Sequence, residues 1–551
     1  MIVTGGTIRT MDPAAPRAEA VGVRDGVIAA VGTLAAVSAA VGGPVHDIGG
    51  DTLLPGFVDP HHHLYLVASD VHTRALDVAL RDLGALLDRI SALRGTGSGW
   101  LRLHGVRPLQ LTEGRLPTAA ELDAVCPDRP LHVMSISYHE STVNSAGLAA
   151  LGIGAGTPDP PGGVIERDRR GRPTGVLVEQ ASFAAESATR RATDDPDGWV
   201  RRAVEHSHEL ARHGVTRIGD MAVPPAGATR YATAAPDLAV VAHRWHVGTA
   251  EIGDPAVPAL AADGHPRAPL GGFKILADGG ERCDLCLDRR QLWRSTASLP
   301  AAVARHGRRA LALARRGGTP ARRADGRWHN GTRVLDADGL RRAVHASVAA
   351  GLSPAVHAVG NGAVADLLDA TRGVDEVLRV EHAMVCDAAL ARRIGDAGLQ
   401  VVAQPSFLHD LGDELTVLPL PDPLRLVPLR TLRAAGVHVA LSTDYPAGTM
   451  SPLVGIGAAV TRRTRSGQVV HADEALTVEE AVAAWTRDAA AVLRSDAGIL
   501  RVGAPADLVA LGADPWTADP DHIASIEVTG TWSAGGRTFT APTRAVRPPC
   551  T

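Results

Sequence analysis

A chain of 551 residues exceeds one ordinary domain, and 45% apolar with 21% charged residues is the composition of a globular protein with a large core. A formal net charge of −4 gives no electrostatic pull toward nucleic acid or an anionic membrane. No run of about 18 apolar residues occurs, the first twenty residues lack a secretory leader's basic and apolar regions, and five scattered cysteines (Cys126, Cys283, Cys286, Cys386, Cys550) cannot form a disulfide framework; the expectation is a cytoplasmic protein without membrane or nucleic-acid partners.

Residues 1–55 read as short strands, with 20–23 and 27–31 flanking the hairpin turn Arg24-Asp25-Gly26. The stretch GFVDPHHHL follows at 56–64, placing three histidines at the end of an apolar strand. Strand side chains alternate faces, so His61 and His63 share one side and His62 takes the other. Two imidazoles on one face can share a metal ion, or can be hydrogen-bonded core residues. Residues from about 100 to 180 are rich in proline and glycine and read as an inserted lobe. Helices are expected over 200–213 and 338–350, each stopped by a glycine, Gly214 and Gly351.

Apolar runs at 355–357, 378–380, 401–403 and 437–441 alternate with alanine-rich amphipathic segments, the pattern of a parallel sheet covered by helices. A second interruption, about 281–337, carries eight arginines between Arg305 and Arg327 against one acid, Asp325, and reads as a solvated face rather than an anion-binding lid. The last fifty residues return to short strands. The expected architecture is α/β: a (β/α)8 TIM-like barrel over 56–489, with a small β-sandwich subdomain built from both termini, 1–55 and 490–551, and the two insertions.

Four further residues sit where strands end: Lys274 in GFKILADGG, His357 after Ala355-Val356, His382 closing LRVEH, and Asp444 in LSTD. Strand ends are where a barrel keeps its active site. Each residue alone has an ordinary structural explanation. In this order, however, imidazoles and carboxylates converge on one barrel mouth.

These stretches, together with SYHESTVNSAGL, PPGGVIERDRRGRPTGVL, VHAVGNGAV, VVAQPSF and GAPADLVALGADP, resemble the metal-dependent amidohydrolase superfamily, and within it the amidohydrolase-3 group of N-substituted formamide deformylase-like proteins. The resemblance spans nearly the whole chain. It implies that His61 and His63 bind a first divalent metal, that a carboxylated Lys274 bridges two metals, that His357 and His382 hold the second, and that Asp444 completes the first. One or two ions, zinc foremost, are implied, with Asp444 as general base and acid and His382 beside it. The reaction implied is hydrolysis of an amide-type C–N bond in a small N-acyl or N-formyl compound by metal-activated water. His139, Asn144, Gln404 and Arg430 match positions where substrate contact is expected; Glu381 and Asp59 are candidates to orient imidazoles.

The chain departs from the pattern in three places. Cys283-Asp284-Leu285-Cys286 is an unusual Cys-x-x-Cys, yet no second pair exists to complete a structural zinc site. Asn361 stands where the family often has aspartate, and the arginine-rich insertion is individual. Deaminases of the superfamily carry a glutamate shortly after the histidine equivalent to His357, and HAVGN offers none, so deamination or another cyclic C–N or ester hydrolysis ranks second. A non-catalytic metal-binding scaffold ranks below both, because Asp444 accompanies all the other ligands. The partner expected is a small-molecule substrate; a homodimer remains an open option.

Overall fold

The computed structural model describes residues 1–225, 227–247 and 265–542; Cys550 lies outside them. Eight strands form one parallel sheet: Phe57–His62 (β1), Val215–Val223 (β2), Val241–His246 (β3), Leu270–Leu276 (β4), Pro354–Ala358 (β5), Arg379–His382 (β6), Gln400–Ala403 (β7) and Val439–Leu441 (β8). Each pairs with the next in chain order. The ring closes just past β8 through a parallel bridge between His62 and Tyr445, with Asp444 N–H donating to the His61 carbonyl at 2.8 Å and His63 N–H to the Tyr445 carbonyl at 3.0 Å. The expected barrel is therefore present.

The expected helices occur as Pro196–Arg212 and Ala337–Ala349. Both begin at an aspartate, Asp195 or Asp336, whose side chain accepts a backbone N–H of the first turn. Among the described residues, no helix is long and apolar enough to cross a membrane.

Inside the barrel, Val58, Met221, Trp245, Ala355, Val402 and Ala440 come from six different strands and pack in one buried cluster. Small partners make room for the one large ring. Gly271 and Gly272 lie flat against Trp245, where a Cβ on Gly271 would stand 2.4 Å from the indole. The Arg379 guanidinium lies 4.8 Å from the Trp245 ring centroid, a cation–π contact buried beneath the barrel mouth.

The termini do assemble together, but into one continuous sheet rather than two separate ones. Its strand order runs from Gly536–Thr540 through Val528–Ser533, Leu508–Leu511, Thr52–Pro55, Ile2–Arg9 and Arg17–Arg24 to Val27–Gly32. The sheet curls until Val27 bridges Pro505, wrapping a core that includes Val3, Val21, Leu53, Leu508 and Trp532.

The lobe has its own five-stranded sheet, and its core begins earlier than about 100, because helix Leu83–Leu93 supplies Leu83, Leu86 and Ile90 to it. The second insertion folds as helices Arg289–His306 and Arg308–Arg316 with a small three-stranded sheet. Arg305, Arg308, Arg315, Arg322 and Arg327 are exposed as expected, whereas Arg316 pairs with buried Glu140 and Arg309 with Glu414, which fastens the insertion to the lobe and to the barrel.

The terminal sheet is anchored to the barrel by Arg217 of β2, whose Nε donates to Asp507 Oδ2 at 2.7 Å, with side-chain exposures of 11% and 1%. Replacing Arg217 by methionine strands a buried carboxylate and should lower stability by about 3 kcal/mol. Urea denaturation followed by circular dichroism measures this, and an unchanged midpoint would show the anchor to be dispensable.

Candidate active site

The residues expected at strand ends meet at one mouth of the barrel. His61, at the end of β1, and His63, one residue beyond it, both line a cavity of about 170 Å³ together with Lys274, His357, His382, Asp444 and His139. Ligand atoms of His61, His382 and Asp444 all lie within 4.8 Å of one another. His61 Nε2 is 3.3 Å from Asp444 Oδ1 and 3.4 Å from Lys274 Nζ, while His63 Nε2 is 2.9 Å from Asp444 Oδ1. The rings of His357 and His382 stand 4.5 Å apart. His62 turns the opposite way, to Asp59 at 3.1 Å and His206 at 2.9 Å, stacked against Tyr445.

Neighbouring groups fix which nitrogen each imidazole offers. His61 Nδ1 donates to Glu381 Oε2 at 2.6 Å, which leaves the Nε2 lone pair facing Lys274 and Asp444. Glu381 is itself clamped by Arg379, whose Nε donates at 2.6 Å. His382 Nδ1 donates to Gln404 Oε1 at 2.8 Å; the Gln404 amide donates in turn to the Val402 carbonyl and Ser442 Oγ, so its oxygen must face the imidazole. His357 Nε2 is buried without a hydrogen-bond partner, an orphaned lone pair that a cation would satisfy.

Electrostatics favour the same protonation states. Burial, reinforced by the positive charges of Lys274 and neighbouring histidines, holds His61 well below the usual imidazole range, and burial does the same for His357. His382 is pushed down to about 3 by burial, against the opposing pull of Asp444. Burial lowers Lys274 to about 8, with the Glu381 and Asp444 carboxylates resisting. Burial would raise Asp444, but His63, His382 and Lys274 outweigh it and keep the carboxyl low. Neutral imidazoles, a readily deprotonated lysine and an ionised carboxylate form a set suited to divalent cations.

The backbone bends sharply at two of these positions. His382 has φ 78° and Asp444 φ 52°, left-handed values that side-chain-bearing residues adopt at a cost. The main-chain bond from Asp444 to His61 holds the second bend in place.

The substrate-contact candidates divide. His139 reaches the cavity from the lobe, stacked 4.8 Å from His357, with Nδ1 2.6 Å from Glu179 Oε2. Burial would depress it, but the Glu179 carboxylate prevails and lifts it to about 9. Gln404 acts through His382. The structure does not bring Asn144 or Arg430 to the cavity. Asn144 caps helix Ser145–Ala150, accepting from Leu131 and Gly147 and donating to the Cys126 and Arg129 carbonyls, so every polar position of its amide is spent inside the lobe. Arg430 is tied to Glu480 and the Ala475 carbonyl on the helical layer. Asp59 orients His62, not a cavity imidazole.

Three residues escaped the sequence reading. Glu179 closes lobe strand Pro173–Glu179 with φ 50°; a carboxylate between a strand and a helix was the only visible signal. Asp278, two residues past β4, accepts N–H bonds from Val359, Gly360 and Asp284, and burial lifts it to about 7 despite those donors. Glu281 lines the cavity and accepts from Ser137 Oγ.

The Cys-x-x-Cys forms no site of its own. Cys283 lines the cavity, while the Cys286 thiol accepts from Arg327 Nε at 3.0 Å. Cys286 does lie near Asp325 and His329, but His329 is engaged by Asp284 and Asp325, and the guanidinium of Arg327 occupies the approach a cation would need.

Removing the Gln404 amide with Gln404→Leu frees His382 to rotate. Zinc affinity by calorimetric titration should fall about 10–100-fold, with little change in the circular dichroism spectrum; undiminished affinity would mean that the barrel alone orients the ring.

The model of the amidohydrolase family matches residues 45–539. The chain is 31% identical to an N-substituted formamide deformylase of Arthrobacter pascens over 97% of each chain, and 26% identical to the protein LONG AFTER FAR-RED 3 of Arabidopsis thaliana over 98% of this chain and 91% of that one. Among solved structures, a metal-dependent hydrolase from Pyrococcus horikoshii has the same fold, with a TM-score of 0.68 at 20% identity, covering 95% of this chain and 99% of that one.

Proposed function

Because this chain belongs to the amidohydrolase family, we propose that it hydrolyses the amide-type C–N bond of a small N-acyl or N-formyl compound, with Asp444 moving the proton. The observation that carries the reading is the convergence of His61, His382 and Asp444 donor atoms within 4.8 Å, beside His63, Lys274 and His357, in one largely apolar cavity. The deformylase activity named for the relative from Arthrobacter pascens supports the choice of bond.

The residues fit divalent ions, zinc foremost: His61, His63 and Asp444 would hold one, His357 and His382 another, and Lys274 would bridge them once carboxylated. Such ions supply a lowered pKa for water, from 15.7 towards about 7, and polarisation of a carbonyl oxygen. A lysine with its pKa at about 8 presents enough free amine near neutral pH for its nitrogen to attack carbon dioxide and release a proton, giving a carbamate. Water attacks the carbonyl carbon, Asp444 accepts the proton that the water loses, and the same carboxyl returns it to the nitrogen as the C–N bond breaks. His139, approaching from the lobe, is placed to bind the substrate on the side of His357. Apolar walls, among them Leu66, Phe183, Met221 and Phe407, exclude bulk water and strengthen each of these polar contacts.

Asp444→Asn should bind zinc more weakly and, with zinc loading confirmed by metal analysis, lose about 10²–10⁴-fold in kcat for release of amine from N-formyl compounds; an unchanged kcat would remove Asp444 from the proton path. Protein equilibrated with isotopically labelled bicarbonate should give a carbamate carbon resonance that Lys274→Ala abolishes. A spectrum identical in the two proteins would leave the lysine unmodified.

A further inference from the structure

A second cavity, of about 370 Å³, lies under the arginine-rich insertion. Leu109, Glu281, Cys283, Met384 and Leu415 line both it and the cavity that holds the convergent histidines, so the two adjoin along these residues. The insertion supplies much of the wall: Leu285 and Leu287 from its small sheet, Leu292 and Leu299 from helix Arg289–His306, and Leu313 from helix Arg308–Arg316. Leu292, Leu299 and Leu313 are only half-buried. Leucines on a helix normally close against a neighbour; Leu292 and Leu313 do so on one side, against buried clusters, and line the open space on the other.

Three of the four charged groups on this wall are paired with opposite charge, and the fourth, Glu281, accepts from Ser137 Oγ. Arg282 and Arg316 pair with Glu140, and Glu414 pairs with Arg309. The pairs of Arg309 and Arg316 hold helix Arg308–Arg316 over the chamber. What remains for an occupant is mainly leucine, proline and methionine surface, with Glu281, Ser295, Thr296 and Asn330 as its polar points.

We propose that this chamber receives an apolar arm of the substrate, an unbranched alkyl or aryl-alkyl substituent too long for the first cavity, so that the chain acts on hydrophobic rather than compact N-substituted amides. The inference rests on the amide-hydrolase reading and names its substrate class. The arm passes from one space to the other beside Cys283 and Met384, which line both, while the amide group stays beside Asp444.

Binding and turnover are tested separately on the full-length, zinc-loaded protein. Non-hydrolysable N-butyl and N-octyl methanesulfonamides are titrated calorimetrically; affinity should rise about fourfold per methylene, and the increment should vanish in Leu299→Glu and in Leu313→Glu. Both side chains are half-exposed, and thermal melts check that the variants fold, with Leu292→Glu as the replacement if either does not. Equal affinities for the butyl and octyl probes, or an increment that survives these substitutions, overturns the chamber. N-butyl- and N-octylformamide are then assayed for amine release. Octyl-selective binding without amine release keeps the chamber and overturns the hydrolysis reading, whereas amine release independent of chain length keeps the hydrolysis and overturns the chamber.

Discussion

Closure of the barrel between its first and last strands is the constraint on which the site depends. His63 and Asp444 are 381 residues apart in sequence, and nothing local holds them together. The seam does so through the main-chain bond from Asp444 to His61 and through Asp59, a fully buried carboxylate that accepts from Thr443 N at 2.9 Å and from the Thr443 hydroxyl. His62 completes the arrangement. Its ring is wedged between Asp59, His206 and Tyr445, so the backbone of β1 cannot rotate and expose His61 or His63 differently. The middle histidine of the triplet thus fixes the direction of the other two.

The cavity chemistry is tied in turn to the barrel interior. Trp245 fills the space below the mouth, Arg379 lies over its ring, Glu381 is clamped by Arg379, and His61 donates to Glu381. One chain of contacts therefore runs from the apolar core to a cavity-facing imidazole. Each link is buried, where a group without its partner is costly, and this holds the arrangement to a single geometry. Gly271 and Gly272 belong to the same chain of cause, because any larger residue there would displace the indole on which Arg379 rests.

The barrel and its mouth were legible in the sequence because both are written locally. Alternating strand and helix periods mark the architecture, and His61, His63, Lys274, His357, His382 and Asp444 each lie at or just past a strand end, or within its last residues. Asn144 and Arg430 misled because a polar residue in a matching stretch carries no sign of which way it faces. Asn144 satisfies backbone groups of its own lobe, and Arg430 pairs with Glu480, fifty positions onward. Glu179 was invisible for the opposite reason. Its carboxylate reaches His139 only because the lobe folds back and its own backbone adopts a positive φ, neither of which is encoded by spacing.

The arginine-rich insertion illustrates the limit of composition most clearly. Eight arginines against one acid suggest a solvated or anion-binding surface, but the acids that matter are elsewhere in the chain. Glu140 comes from the lobe and Glu414 from the helix after β7, so two of the eight, Arg309 and Arg316, are paired by acids from outside the segment. Two roles are thereby separated within one molecule. The seam and the Trp245 contacts set the chemistry at the barrel mouth, whereas the lobe contributes His139 beside His357 and the insertion forms the adjoining wall. A guanidinium clamp suits the second role. Planar forks such as those of Arg282 and Arg316 on Glu140 hold one element over another at fixed distance without filling the space beneath, and the space left beneath them is the apolar chamber.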